Sequence, residues 1–219
     1  MAARFPTIRI SALENRRFLR RAVRHLAGEA GIRQFLDIGT GIPTADNTHE
    51  VAQATDPRAR VVYVDNDPIV LAHARALLTS SPRAPPPTST RTCATRSASS
   101  PTPTCAARWT SPSGGVDAAA VLHFVPDGEN PYAIVGRLLE ALPAGSYLAA
   151  SHATHDYLPA EVAAEAKAAA RGGGPHGVIN GPAQPGGGRA LLRRLELVEP
   201  GICSVAEWHA DGGPNRARR

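Results

Sequence analysis

Asp37, Gly39, Gly41 and Asp65 have the residue types and the spacing to hold a nucleotide-like ligand. Asp37 and the two glycines lie in Phe35-Leu36-Asp37-Ile38-Gly39-Thr40-Gly41-Ile42-Pro43-Thr44, and Asp65 closes Val61-Val62-Tyr63-Val64-Asp65. The first stretch reads as a buried strand that breaks into a glycine turn and feeds a helix starting near Thr44 or Asp46. Glycine lets the backbone turn sharply and approach a ligand that a side chain would block. The helix beyond offers free N–H groups. A dinucleotide fingerprint wants a third glycine or alanine where Thr44 stands, and an acid about 20 residues on. Here the third glycine is missing, Asp65 comes later, and Asp37 would be a poor neighbour for a pyrophosphate. A carboxylate at that place can instead hold the loop amides or take an ammonium group.

That combination resembles the first motif of class I S-adenosylmethionine-dependent methyltransferases, whose cofactor carries a sulfonium and an α-amino group but no phosphate. The likeness narrows along the chain. The motif runs on into Asp46-Asn47-Thr48-His49-Glu50-Val51-Ala52, followed by Val62-Tyr63-Val64-Asp65-Asn66-Asp67-Pro68 and Val121-Leu122-His123-Phe124-Val125-Pro126-Asp127. Together these stretches resemble one bacterial S-adenosyl methyltransferase family, over roughly residues 10–80, 116–160 and 195–208. The resemblance implies S-adenosyl-L-methionine as cofactor. It also implies a Rossmann-like α/β fold, a three-layer αβα sandwich around a mostly parallel seven-stranded sheet. Asp37, Gly39 and Gly41 would hold the methionine end, Thr40 would also contact the cofactor, Asp65 would take both ribose hydroxyls, and Asn66 would flank the adenine. Asn47 and His49 belong to the family pattern; they either face the cofactor or cap a helix and meet solvent. No substrate follows from the resemblance.

The elements that must position these residues can be read in order. Leu19, Val23, Leu26 and Ala30 recur at three- to four-residue spacing across 11–30, an amphipathic helix. Arg16, Arg17, Arg20, Arg21 and Arg24 crowd its other positions and read as a solvated face, with a partner surface as the alternative. A strand over 33–38 leads to the glycine loop and a helix near 45–54, capped by Thr44 or Asp46. A second strand, 60–65, is apolar enough for the centre of a parallel sheet. It sets Asp65 at the strand end where open α/β sheets bind ligands. Asp67 and Pro68 suit the cap and first turn of a helix over 68–79, so Asp67 is read as structural.

The fourth strand is expected from Asp117 to Val125, with His123 at its C-terminal tip. There the imidazole would be a general base, a cofactor contact or a packing group. Asn130 and Pro131 open a helix through about Leu142. A strand over 145–151 and an alanine-rich helix over 159–171 follow. Residues 195–199 and 202–208 read as a closing antiparallel pair with Trp208 as core or edge cover, and 210–219 as a loose tail.

The 219 residues are enough for one domain with a real core. No run of about 18 apolar residues and no signal-peptide core occurs, so a soluble, cytoplasmic chain without a membrane partner is expected. Three cysteines, Cys93, Cys105 and Cys203, have neither metal-ligand spacing nor a disulfide pattern. His152-x-x-His155 beside Asp156 supplies too few ligands for a metal site, and none is expected. The formal charge of +5 comes largely from arginines in an acid-free stretch (Arg83, Arg91, Arg96, Arg108) and a tail (Arg216, Arg218, Arg219). No basic face with interleaved aromatics appears, so nucleic acid is not an expected partner. A small-molecule methyl acceptor is. Oligomeric state stays open.

One stretch breaks the pattern. Residues 81–115 are rich in Ser, Thr, Pro and Arg, with no Asp or Glu between Asp67 and Asp117, a composition that resists packing. A methyltransferase sheet needs its third strand here, and the acid that reads the adenine amino group commonly follows it. Every Thr codon is ACN, so a one-base slip back yields NAC, encoding Tyr, His, Asn or Asp. With G/C-rich third bases, Thr88 through Cys105 then re-reads as Y-I-D-A-D-L-R-D-P-E-R-I-L-A-H-P-D-L, the kind of string the family carries at this point. The same slip turns Arg189–Arg194 towards A-R-F-F-D-G, so about 172–194 is a second candidate for shifted reading. The alternative is a genuine Pro/Ser/Thr-rich insertion. Family members also begin earlier, with a segment containing Gly-Gly-Lys-Asp-Asn that would help close the cofactor site. Met1 starts without it, which points to a misplaced start or an absent lid.

The expected function is methyl transfer from S-adenosylmethionine to a small-molecule oxygen or nitrogen nucleophile. Two alternatives stand beside it: a cofactor-binding or inactive degraded homologue, and an NAD-linked oxidoreductase, which the fold alone does not exclude.

Overall fold

The computed structural model describes residues 6–43, 45–70, 72–73, 91–94, 115–119, 122, 125, 130–154, 160–161, 163–164, 192 and 195–210. Five strands form one sheet: β1 (Gln34–Ile38), β2 (Arg60–Asp65), β3 (Arg91–Ala94), β4 (Gly115–Ala119) and β5 (Tyr147–Ser151). Their order is β3-β2-β1-β4-β5, and every neighbouring pair is parallel. The chain works outward on one side of β1, then crosses back to add β4 on the other. The direction therefore reverses between β1 and β4, and the ligand crevice of such sheets opens outside the strand ends at that point.

Helices cover both faces. Phe35, Val61 and Tyr63 turn one way and pack with Val23, Leu26 and Ala27 of α1 (Pro6–Gly28) and Val51 and Ala52 of α2 (Thr48–Thr55). Leu36 and Val64 turn the other way and pack with Leu138 of α3 (Pro131–Glu140). The period-two alternation of a strand thus divides adjacent residues between two cores, giving three layers. Phe35 and Val61 are almost wholly buried, and each such side chain contributes about 1.5–3 kcal/mol through removal from water. Gly115 begins β4 against Phe35, where an added Cβ would stand 3.1 Å from the ring.

α1 runs back along the sheet. At its first half Asn15 Oδ1 accepts the Ser151 hydroxyl at 2.5 Å, at the end of β5. At its last turn the Leu26 carbonyl accepts the Ile32 N–H at 2.8 Å, just before β1 begins. Arg16 and Arg20 consequently sit at the same edge of the sheet as the strand C-termini.

Several sequence expectations are corrected. The helix expected from residue 11 already begins at Pro6. The fourth strand is Gly115–Ala119 rather than 117–125, with a short helical turn at 122 and a bend at 125. The Ser/Thr/Arg-rich stretch, read as aperiodic, contributes β3, which pairs Val62 to Arg91 through Asp65 to Ala94. An edge strand bonds through its backbone to one neighbour, so a short Arg-Thr-Cys-Ala segment suffices. The closing antiparallel pair is not formed: 195–210 consists of turns and irregular chain. Five strands, not seven, are found among the described residues.

The arginine face of α1 is not simply solvated either. Arg21 donates from its guanidinium to the Trp208 carbonyl at 2.7 Å and to the Val205 carbonyl, and Phe18 meets Trp208 edge to face. The C-terminal segment thereby docks on α1, and Trp208 covers a helix rather than a sheet edge. No described helix is long and apolar enough to cross a membrane.

Candidate functional site

The loop after β1 is shaped by two positive-φ glycines, Gly39 at 71° and Gly41 at 65°. The left-handed region is open to glycine and strained for residues with a Cβ. Gly39 donates its N–H to the Val64 carbonyl at 2.7 Å, and Gly41 donates to Asp65 Oδ2 at 3.0 Å. The other oxygen of Asp65 accepts the Asp67 N–H at 2.9 Å. The acid at the end of β2 therefore ties together the turns that follow β1 and β2. An ionised carboxylate has about four lone-pair positions, so two backbone bonds leave it able to accept ligand hydroxyls. A Cβ at Gly41 would meet nothing within 4 Å; the loop borders open space.

Asp37 lies deeper and is 5% exposed. Thr48, the first residue of α2, donates its hydroxyl to Asp37 Oδ2 at 2.6 Å, and the Thr40 side chain also bonds to the carboxyl. Burial pushes the Asp37 pKa up to about 6, against the two threonine bonds and the attraction of Arg16, while nearby Asp65 adds repulsion. Burial disfavours the ionised form, and a cation arriving beside the carboxyl would restore it. Such an environment fits the α-ammonium of an amino acid and opposes a phosphate. Among the described residues Asp37 bonds hydroxyls rather than the loop amides considered from the sequence.

Asn47 caps α2 in place of Thr44 or Asp46. Its N–H donates to Glu50 Oε2 at 2.8 Å, one half of a capping box. Asp46 takes φ 62° and pairs with Arg20 at 2.9 Å. His49 turns toward the sheet: the Tyr63 hydroxyl accepts its backbone N–H at 3.0 Å and contacts its Nδ1 at 2.7 Å. Burial lowers the His49 pKa, so near neutral pH the ring is uncharged and Nδ1 accepts the phenolic proton. Asp67 accepts the Ile69 N–H at 2.8 Å, the bond of an N-cap.

The strand ends thus bring Asp37, Gly39, Thr40, Gly41 and Asp65 together. Asn47 stands at the start of α2 in a capping role, and Asn66 is an exposed bend residue directly after β2. His123 and Thr44 lie outside the described residues, as do His155 and Asp156. Sequence reasoning missed Thr48, Tyr63 and Arg16. Thr48 was detectable in principle, because a helix beginning at 48 places it one turn from the loop. Arg16 was not, since only the return of α1 brings it to the strand ends. Chemically, the arrangement offers a cation-favouring carboxyl, a hydroxyl-accepting carboxylate and an open glycine turn. Among the described residues it contains no phosphate cradle.

Comparison with known proteins places the chain in a family. The family model described as S-adenosyl methyltransferase matches residues 1–219. A DUF574 family protein from Streptomyces avermitilis has a crystal structure that superimposes with a TM-score of 0.74 at 41% identity, over 96% of this chain and 79% of that one. A candidate methyltransferase from Thermobifida fusca superimposes with a TM-score of 0.78 at 36% identity, over 96% of this chain and 76% of that one. No protein of curated function matches the chain.

Proposed function

The chain belongs to the S-adenosyl methyltransferase family, and from that premise we propose that it methylates a small-molecule oxygen or nitrogen nucleophile. The family implies S-adenosylmethionine, which supplies an electrophilic methyl on a sulfonium. This chain's residues would bind and orient. Asp37, with Gly39, Thr40 and Gly41, receives the methionine end; Asp65 accepts the ribose hydroxyls; Asn66 borders the adenine. In methyl transfer the protein mainly aligns the nucleophile and excludes water, and no described side chain need act as base. His123 remains the candidate nearest the acceptor by family pattern. Five parallel strands in the order β3-β2-β1-β4-β5 support the seven-stranded sheet of the class I enzymes as the parent architecture. The expected setting is the cytoplasm.

The observation that carries the reading is the Asp65–Gly41 bond beside a buried Asp37, a combination suited to a sulfonium nucleoside and unsuited to a pyrophosphate. Among the described residues Arg17, Arg20, Arg33 and Arg58 face carboxylates and Arg21 faces carbonyls. That supports a small-molecule acceptor over nucleic acid. Calorimetric titration with S-adenosylhomocysteine tests the proposal. Saturable binding with no competition from NAD is expected. Preference for NAD would reverse the assignment in favour of an oxidoreductase.

A second reading, a cofactor-binding but inactive homologue, draws on the irregular 195–210 where the sheet would close. Binding of S-adenosylhomocysteine without methyl transfer to any of a broad set of phenols, amines and carboxylates would favour it.

A further inference from the structure

Away from the strand ends, the last turn of α1 and the docked C-terminal segment bring His25, Glu29 and His209 together. One ligand atom from each lies within 4.8 Å of the others. His25 Nδ1 is 3.1 Å from Glu29 Oε2, yet it is buried without an aligned hydrogen-bond partner among the described residues. A buried ring nitrogen in that condition calls for a partner, and a bound ion can supply one. His209 Nε2 contacts the Glu199 carbonyl at 2.8 Å. Donation from Nε2 leaves Nδ1 with the free lone pair a metal needs, the same outer bond that orients metal-bound histidines elsewhere. His209 is also held at φ 45°, a strained setting for a residue with a Cβ.

We infer that His25, Glu29 and His209 form a binding site for a divalent transition ion of the zinc type. Two imidazoles and a carboxylate are a ligand set that zinc accepts, with a water completing the tetrahedron. Ligands about 2.0–2.2 Å from such an ion lie roughly 3.3–3.5 Å apart. The His25–Glu29 pair, four residues apart across the C-terminal end of α1, already stands near that separation. The remaining contraction falls on His209, whose ring packs 4.8 Å from His25 and stacks on Trp208 at 4.1 Å between centroids. The ion would clamp the C-terminal segment to α1 at the point where Arg21 and Phe18 already hold it. No spacing motif could reveal the site, because its third ligand comes from the far end of the chain.

The test is calorimetric titration of the EDTA-treated full chain with ZnCl2, alongside Glu29→Gln, His209→Ala and Cys203→Ser. One saturable site per chain is expected, with a zinc-dependent rise in Tm that EDTA reverses. Glu29 is on the surface, so Glu29→Gln keeps the fold. That variant and His209→Ala should each weaken binding at least tenfold, while Cys203→Ser leaves it unchanged. Absence of saturable binding, wild-type affinity in either ligand variant, or loss of binding in Cys203→Ser overturns the site.

Discussion

The Asp65 carboxylate accepts the Gly41 N–H at 3.0 Å, so the acid that ends β2 braces the turn that follows β1. The same side chain is thus positioned by one ligand loop and helps to position it. Asp65→Ala removes a charge-assisted bond worth about 1.5–3 kcal/mol together with the proposed ribose acceptor. The expected result is a loss of at least tenfold in S-adenosylhomocysteine affinity by calorimetry, with the circular dichroism spectrum retained. Unchanged affinity would remove Asp65 from the site.

Asp37 makes the fold sensitive to pH. Its folded-state pKa is raised to about 6 from the ordinary 3.8. The native state therefore binds the proton more tightly than the unfolded chain. Stability from this group is complete below the unfolded pKa and lost as pH rises through about 6. That difference in proton affinity corresponds to roughly 3 kcal/mol. Asp37→Asn keeps an oxygen for the Thr48 hydroxyl without the buried charge. Its Tm should exceed the wild type's by a margin that grows from pH 5 to pH 8, while cofactor affinity falls. A margin independent of pH would contradict the burial argument.

Tyr63 is a core residue with a polar errand. Its hydroxyl satisfies the His49 N–H in the first turn of α2 and the His49 ring. Tyr63→Phe leaves that N–H unpaired at about 1–2 kcal/mol, equivalent to a Tm drop of about 2–8 °C for a chain of this size. His49→Ala leaves the Tyr63–N–H bond in place and should cost less. Thermal denaturation of the two variants decides the order.

The reading frame of the third strand can be checked in the gene. If codons 88–105, read one base back, spell Y-I-D-A-D-L-R-D-P-E-R-I-L-A-H-P-D-L, the chain with that segment restored should melt higher and bind S-adenosylhomocysteine more tightly. Any other spelling dismisses the frame change and leaves a true insertion that supplies β3 at Arg91–Ala94.

What the amino-acid order determined by itself was local. Phe35 to Ile38 and Val61 to Asp65 are apolar runs bounded by turn residues, and such runs become central parallel strands whatever surrounds them. Gly39 and Gly41 announce a left-handed turn because few other residues enter that region without strain. Asp67 before Pro68 announces a helix start. From these follow the α/β class, the ligand edge and most of the candidate site.

Tertiary structure decided whatever depends on residues that meet across the chain. Burial beneath α2 raises the Asp37 pKa, against the bonds from Thr48 and Thr40 and the attraction of Arg16. His49 bonds Tyr63 because helix and strand pack at that spot. Arg21 reads as a solvent residue until residues 205 and 208 bring carbonyls to it, and His25 as a helix-end histidine until His209 arrives. The weak β3 forms because β2 offers it an open row of backbone donors and acceptors. Local pattern carries no record of such long-range partners, so only the folded chain could supply them.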